Sequence, residues 1–204
     1  VAAKQKIYEF RVSLNGTDPL VWRTFGVPAD YTTHDLHEIL QIVMGWHNSH
    51  CHIFRIGGKE YSSDLGLEGV SSQSIRLATA IKKSPSGFEY LYDMGDSWSH
   101  RVEFVSSTTR RQESPPMCWA GEMACPPEDV GGIGGFEEFK RALADPTHEE
   151  HEQWREWAGD DYDPSVFSVR QATAGLIAWW RMKSQVDEMI HGLAERMIEE
   201  FRPH

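Results

Sequence analysis

Two stretches of this 204-residue chain concentrate the side chains that can bind a metal, carry a proton or attack a carbonyl. One is Tyr92-Asp-Met-Gly-Asp-Ser-Trp-Ser-His100; the other runs from Cys118 through Cys125-Pro-Pro-Glu-Asp-Val-Gly-Gly-Ile-Gly-Gly135. With the histidines upstream, they outline a polar cluster of His50, His52, Asp93, Asp96, Trp98, His100, Glu128 and Asp129. The first chemistry this suggests is a metal site built from His50, His52, His100, Cys118 and Cys125, holding zinc or another divalent metal. Zinc takes four nitrogen or sulfur ligands in a structural site, or three and a water in a catalytic one. His50 and His52 alternate on one face of a strand, which suits shared ligation, whereas His47 falls nearer a helix end. Cys118 and Cys125 lie farther apart than the two-to-four-residue gap of zinc knuckles. The plainer reading makes these imidazoles buried hydrogen-bonding groups, the aspartates turn caps, and Trp46 and Trp98 core anchors.

Two further chemistries are open to the same residues. Gly131, Gly132, Gly134 and Gly135 lead into a helix whose first turn exposes N–H groups able to hold an anion. No lysine lies in this loop, so it is not a phosphate loop of the Walker type. Glu128, Asp129, Glu137 and Glu138 surround it, and these acids can take the N–H groups themselves. Cys125 with His100 as base would make a nucleophile, but Glu122, Glu128 and Asp129 work against thiolate formation.

The elements that must position these residues follow from periodicity. Ile7 to Leu14 alternates, Asn15-Gly16-Thr-Asp-Pro19 offers turn chemistry, and Leu20 to Val27 alternates again, which predicts a hairpin. Thr32 and Asp35 form a capping-box pattern before Leu36, Ile39, Leu40 and Val43, and Gly45 suits the helix end. His52 to Ile56 and Lys59 to Ser62 flank Gly57-Gly58 as a second hairpin. Asp64 to Ser86 lacks periodicity and reads as mostly loop. Phe88 to Tyr92 and Trp98 to Val105 read as strands joined across Met94-Gly95-Asp96.

Beyond the polar connector Ser106 to Pro116 and the cysteine- and glycine-rich loop, the pattern turns helical. Phe136, Phe139 and Leu143 share a face that ends at Asp145-Pro146. Thr147 and Glu150 suggest a capping box for a helix through Trp154 and Trp157, stopped by Gly159. The acidic run Asp160-Asp161-Tyr-Asp163-Pro164 lacks the central glycine and closing glutamate of a calcium loop and reads as a solvated turn. From Ser168 to about Phe201, Met182, Val186, Met189, Leu193 and Met197 form a stripe. An unbroken helix there would run about 50 Å at 1.5 Å per residue, too long for one small domain to cover. Either it breaks, at Gly175 or Gly192, or part of its stripe packs on a protein partner or a second copy.

The expected fold class is therefore α+β. An N-terminal β-hairpin, a helix and further antiparallel or mixed strands, in a β-grasp-like order, fill residues 1–106. The motif loop and short helices of 107–167 pack on that part within the same domain, and a helical extension covers 168–204. Forty per cent hydrophobic and 25% charged residues fit a globular protein, and no apolar run approaches a membrane span. Three cysteines are too few for a secreted disulfide framework, which points to the cytoplasm, although the chain starts at Val1 without a methionine. A net charge of −11 argues against nucleic acid as a partner.

Val21-Trp-Arg23, Val27-Pro28, Leu36-His37, Met44-Gly45-Trp46, His50-x-His52-x-Phe54, Tyr92-Asp-x-Gly-Asp96-x-Trp98-x-His100 and Cys125-Pro-Pro-Glu-Asp129-x-Gly-Gly occur in this order. Over roughly residues 6–170 the chain thereby resembles the plasmid pRiA4b ORF-3-like family. The resemblance implies an α+β protein carried on mobile elements, sometimes labelled resolvase-like, with no established reaction. The family commonly has a third cysteine where this chain has Val130, which weakens a cysteine-based metal site. Tyr8-Glu-Phe-Arg11-Val12-Ser13 superficially matches the start of serine recombinases. The accompanying phosphate-binding arginines and basic helix-turn-helix are missing from the sequence. The expectation is a noncatalytic accessory module acting through protein contacts. A metal-dependent hydrolase of phosphoesterase type is the alternative, and DNA binding is a weaker one.

Overall fold

The computed structural model describes residues 4–62, 71, 74–111, 114–159 and 161–200. Seven strands form one sheet: β1 (Lys4–Leu14), β2 (Trp22–Pro28), β3 (His52–Ile56), β4 (Lys59–Tyr61), β5 (Phe88–Tyr92), β6 (Trp98–Arg111) and β7 (Met117–Glu122). Their order across the sheet is β4-β3-β5-β6-β1-β2-β7. Every neighbouring pair is antiparallel. The helices are α1 (Thr33–Met44), α2 (Leu77–Lys83), α3 (Gly132–Ala144), α4 (His151–Ala158) and α5 (Val169–Glu200). The protein is thus α+β, with a hairpin and a helix at its start and helices at its end.

Strand β1 shows why the sheet forms. Phe10, Val12 and Leu14 alternate onto one face and are fully buried, while Arg11 and Ser13 between them keep partial access to solvent. Helix α1 covers the inner face with Leu36, Ile39, Leu40 and Val43. Its predicted capping box forms, with Thr32 and Asp35 bonded reciprocally, and Gly45 ends it at φ 90°. Arg23, 1% exposed, ties β2 to this layer: Nε donates to the Val43 carbonyl at 2.9 Å, and Nη1 donates to the Trp22 and Glu122 carbonyls. Its guanidinium also lies 3.7 Å from the centre of the Phe167 ring.

Several expectations change. Strand β6 continues through residue 111, so much of the expected polar connector is sheet, held by pairing with β1 as far as Lys4. The segment with Cys118 is strand β7, paired to β2 at the sheet edge. Leu77–Lys83 is a helix rather than loop, because Leu77 and Ala80 are both buried; residues 63–70 and 72–73 of the expected loop lie outside the described ones. Thr147 caps nothing: its hydroxyl goes back to Asp145 at 2.7 Å, and α4 starts after Glu150. In the acidic turn Asp163 holds Ser165, while Asp160, like Phe201 at the expected helix end, lies outside the described residues.

Helix α5 runs through Gly175 and Gly192 without a break. At Gly175 the absence of a side chain has a reason, since a Cβ would stand 2.9 Å from Ile42 of α1. Ala172 and Leu176 are buried, Thr173 bonds the Cys118 carbonyl of β7 at 3.0 Å, and Trp179 packs edge-on against Tyr31. The first half of α5 is thereby anchored. The second half leaves Met182, Val186, Met189, Ile190, Leu193, Met197 and Ile198 exposed. No described helix is long and apolar enough to cross a membrane.

Candidate functional site

The two motif stretches meet beside the start of β3. Between β5 and β6, Asp93 adopts φ 56° and its Oδ1 accepts the N–H groups of Gly95 at 2.8 Å and Asp96 at 3.3 Å, an aspartate turn. Asp96 then reaches across, and its Oδ2 accepts the Gly131 N–H at 3.1 Å. Tyr92 stitches a second seam. Its hydroxyl oxygen accepts from the Ser49 and His50 N–H groups at 3.0 and 3.3 Å and donates a short hydrogen bond to Glu128. Burial and then this carboxylate raise the Tyr92 pKa, so the hydroxyl keeps its proton. Glu128 also accepts from the backbone N–H of His47 at 3.2 Å and lies 3.0 Å from His47 Nδ1. Trp46 Nε1 donates to the Pro126 carbonyl at 2.9 Å.

At the centre of this junction stands His50. Its Nε2 is 3.2 Å from Asp129 Oδ1 and 3.6 Å from Asp93 Oδ2. Neither approach has hydrogen-bonding geometry, and the nitrogen is shielded from solvent. Ligand atoms of His50, Asp93 and Asp129 all lie within 4.8 Å of one another, a spacing that suits one cation. Asp129, like Asp93, has a left-handed backbone, at φ 63°. Among the described residues, no lysine or arginine forms a salt bridge with Asp93, Asp96, Glu128 or Asp129. A groove of about 460 Å³, lined by His47, Pro127, Glu128, Asp129, Trp157 and Tyr162, opens beside it.

The other expected ligands sit elsewhere. His52 is buried and stacks on His37 of α1, ring centres 3.6 Å apart. His100 is fully buried, its Nδ1 3.1 Å from the Tyr90 carbonyl, with Trp46 against its ring edge. Burial pushes its pKa down to about 4, so the imidazole is neutral at pH 7. Trp98 is buried beside Trp46. Cys118 and Cys125 are buried, and burial raises both thiols above their ordinary range, although the Arg23 charge pulls the other way. Among the described residues no metal-type cluster includes a cysteine.

Two of the four glycines, Gly132 and Gly135, serve close packing, whereas a Cβ at Gly134 would meet open space. A Cβ at Gly132 would stand 2.7 Å from the Asp96 carbonyl oxygen, and one at Gly135 would be 1.9 Å from that of Val130. The Gly131 N–H, offered by sequence as part of an anion site, is taken by Asp96.

One residue at the junction and one in the core beneath it were missed. Tyr92 opens the first motif, but alternation marks it only as inward-facing. Arg23 carries a signal that could have been read: a charged residue on the inward period of a strand must bring its own acceptors.

A family model described as plasmid pRiA4b ORF-3-like protein matches residues 6–171. The chain belongs to that family. An uncharacterized protein, y4hQ, from Sinorhizobium fredii is 35% identical over 187 residues, covering 88% of this chain and 96% of its own. The crystal structure of a protein of unknown function, MM3350 from Methanosarcina mazei Go1, superposes with a TM-score of 0.75 at 34% identity. It covers 81% of this chain and 97% of its own. The family match takes in both motif loops and ends at residue 171, before the exposed half of α5.

Proposed function

We propose that the protein is a noncatalytic interaction module whose two motif loops are fastened by a divalent cation at His50, Asp93 and Asp129. The observation that carries this reading is the state of His50: a buried Nε2 without a hydrogen bond, facing two carboxylates that no lysine or arginine balances among the described residues. One nitrogen and two carboxylate oxygens suit zinc or manganese, with water filling the remaining positions. The adjoining groove reaches Asp129, the exposed member of the three.

A phosphoesterase reading of the same residues is less well supported. Both buried thiols are held protonated, and His100, the candidate base, is enclosed. Tyr92, whose hydroxyl stands in the junction, is also held protonated. What remains is a cation clamp between two loops.

Elemental analysis of protein purified without a histidine tag tests the clamp. The expected result is one equivalent of zinc or manganese, lost in His50→Gln. Metal-free, folded protein that gives no heat when titrated with zinc or manganese would overturn it. Metal-dependent turnover of phosphodiesters that disappears in Asp129→Asn would overturn the noncatalytic half.

A further inference from the structure

From the exposed half of α5 we infer that the module's partner is a second copy of this chain, paired antiparallel along residues 181–199. This rests on the interaction-module half of the function proposed above and is independent of the cation.

Met182, Val186, Met189, Leu193 and Met197 recur at spacings of four, three, four and four, which keeps them on one narrow face. They are 59%, 41%, 59%, 48% and 59% exposed. Ile190, 58% exposed, flanks them. An apolar seam this continuous is far from the scattered single exposures of an ordinary surface. Upstream, the helix is fixed to the domain through Thr173, Leu176 and Trp179, and Lys183 is held 3.0 Å from Asp35. The seam therefore starts where the domain's own cover ends.

Charge selects the occupant and its direction. Arg181 and Glu199 are five turns apart at 3.6 residues per turn and so stand on the same flank of the stripe. Both are exposed, and neither forms a salt bridge among the described residues. In an antiparallel pair, like flanks face each other. A twofold axis between Met189 and Ile190 sets Met182 against Met197 and Val186 against Leu193. It also brings Arg181 of each chain beside Glu199 of the other, so the contact is self-complementary and made twice. In a parallel pair, Arg181 would meet Lys183, already held by Asp35, and Arg181 and Glu199 would stand at opposite ends with no contact between them. Methionine-rich seams adapt to such a crossing without exact interdigitation.

Sedimentation of the full chain tests the inference, with metal content measured on the same sample. The expected result is a dimer at micromolar concentration that becomes monomeric in the Val186→Glu, Leu193→Glu double variant while helicity is retained. Arg181→Glu is expected to weaken association by roughly tenfold, and adding Glu199→Arg in the same chain is expected to restore it. A monomer at all concentrations, a dimer that survives the double variant, or an Arg181→Glu defect that Glu199→Arg does not repair each overturns the inference. A dimer without metal leaves it standing and sinks only the cation; metal without a dimer does the reverse.

Discussion

The buried polar seam under α1 and the junction of the two motif loops are made from overlapping residue types, yet they present different chemistry. In the seam, His37 shares the Tyr90 hydroxyl with Gln41 and stacks on His52, His100 meets a backbone carbonyl, and Arg23 is satisfied by three carbonyls. Each of these partners is neutral, so the groups are fixed as structure. At the junction, His50 faces two carboxylates and His47 a third, close to solvent. Residue type alone therefore does not decide what a histidine can do. The charge and burial of what surrounds it do.

The seam is most vulnerable at Arg23. Arg23→Ala leaves the Val43, Trp22 and Glu122 carbonyls without their donor and opens a cavity beneath Phe167. The expected loss is about 3–5 kcal/mol of unfolding free energy, read by chemical denaturation. The fraction that remains folded should bind metal with unchanged stoichiometry. If folding survives but metal binding disappears, the two regions are not separate.

A change of pH acts on the seam more gently. The folded pKa of His100, about 4, lies below its ordinary 6.5. Between these values the unfolded chain takes up a proton that the folded chain refuses. The stabilisation is therefore complete above about pH 6.5 and is lost as pH falls toward 4, by about 3 kcal/mol in total. Asp35 titrates lower still: burial works against its carboxylate, but Thr32 and Lys183 outweigh that and hold the pKa below the ordinary value. Its contribution is lost in a later, more acidic window. Denaturation midpoints measured from pH 7 to 4 should fall in the wild type and flatten in His100→Gln. An equal slope in both would remove His100 as the cause.

Much of this division was legible in the sequence, and the unread part has a physical reason. The hairpin, α1 with its capping box, and the strands flanking the Asp93 turn follow from alternation, turn residues and caps, which are local signals. The extension of β6 and the existence of β7 depend on pairing partners far along the chain, at Lys4 and at β2, which no local pattern records. The candidate site shows the same limit. His50, Asp93 and Asp129 all stood in the expected polar cluster, but so did His52 and His100, which look equally good as ligands until His37 of α1 stacks on the one and Trp46 packs against the other. Val130, where the family resemblance leads one to expect a cysteine, is buried and packs in the core.

The smallest structural perturbation gives the sharpest contrast at the junction. Asp129 is 73% exposed, and its carboxylate meets only His50 among the described residues. Asparagine also tolerates the left-handed backbone at this position. Without metal, Asp129→Asn should therefore change stability by less than about 0.5 kcal/mol. Asp93→Asn is a blunter tool, because Asp93 Oδ1 also holds the turn between β5 and β6. With zinc present at a hundredfold excess over its dissociation constant, the wild type should gain about 3 kcal/mol and a higher Tm. Asp129→Asn should gain far less. Thermal melts of both proteins with and without zinc read the difference, and an identical zinc response would take Asp129 out of the ligand set.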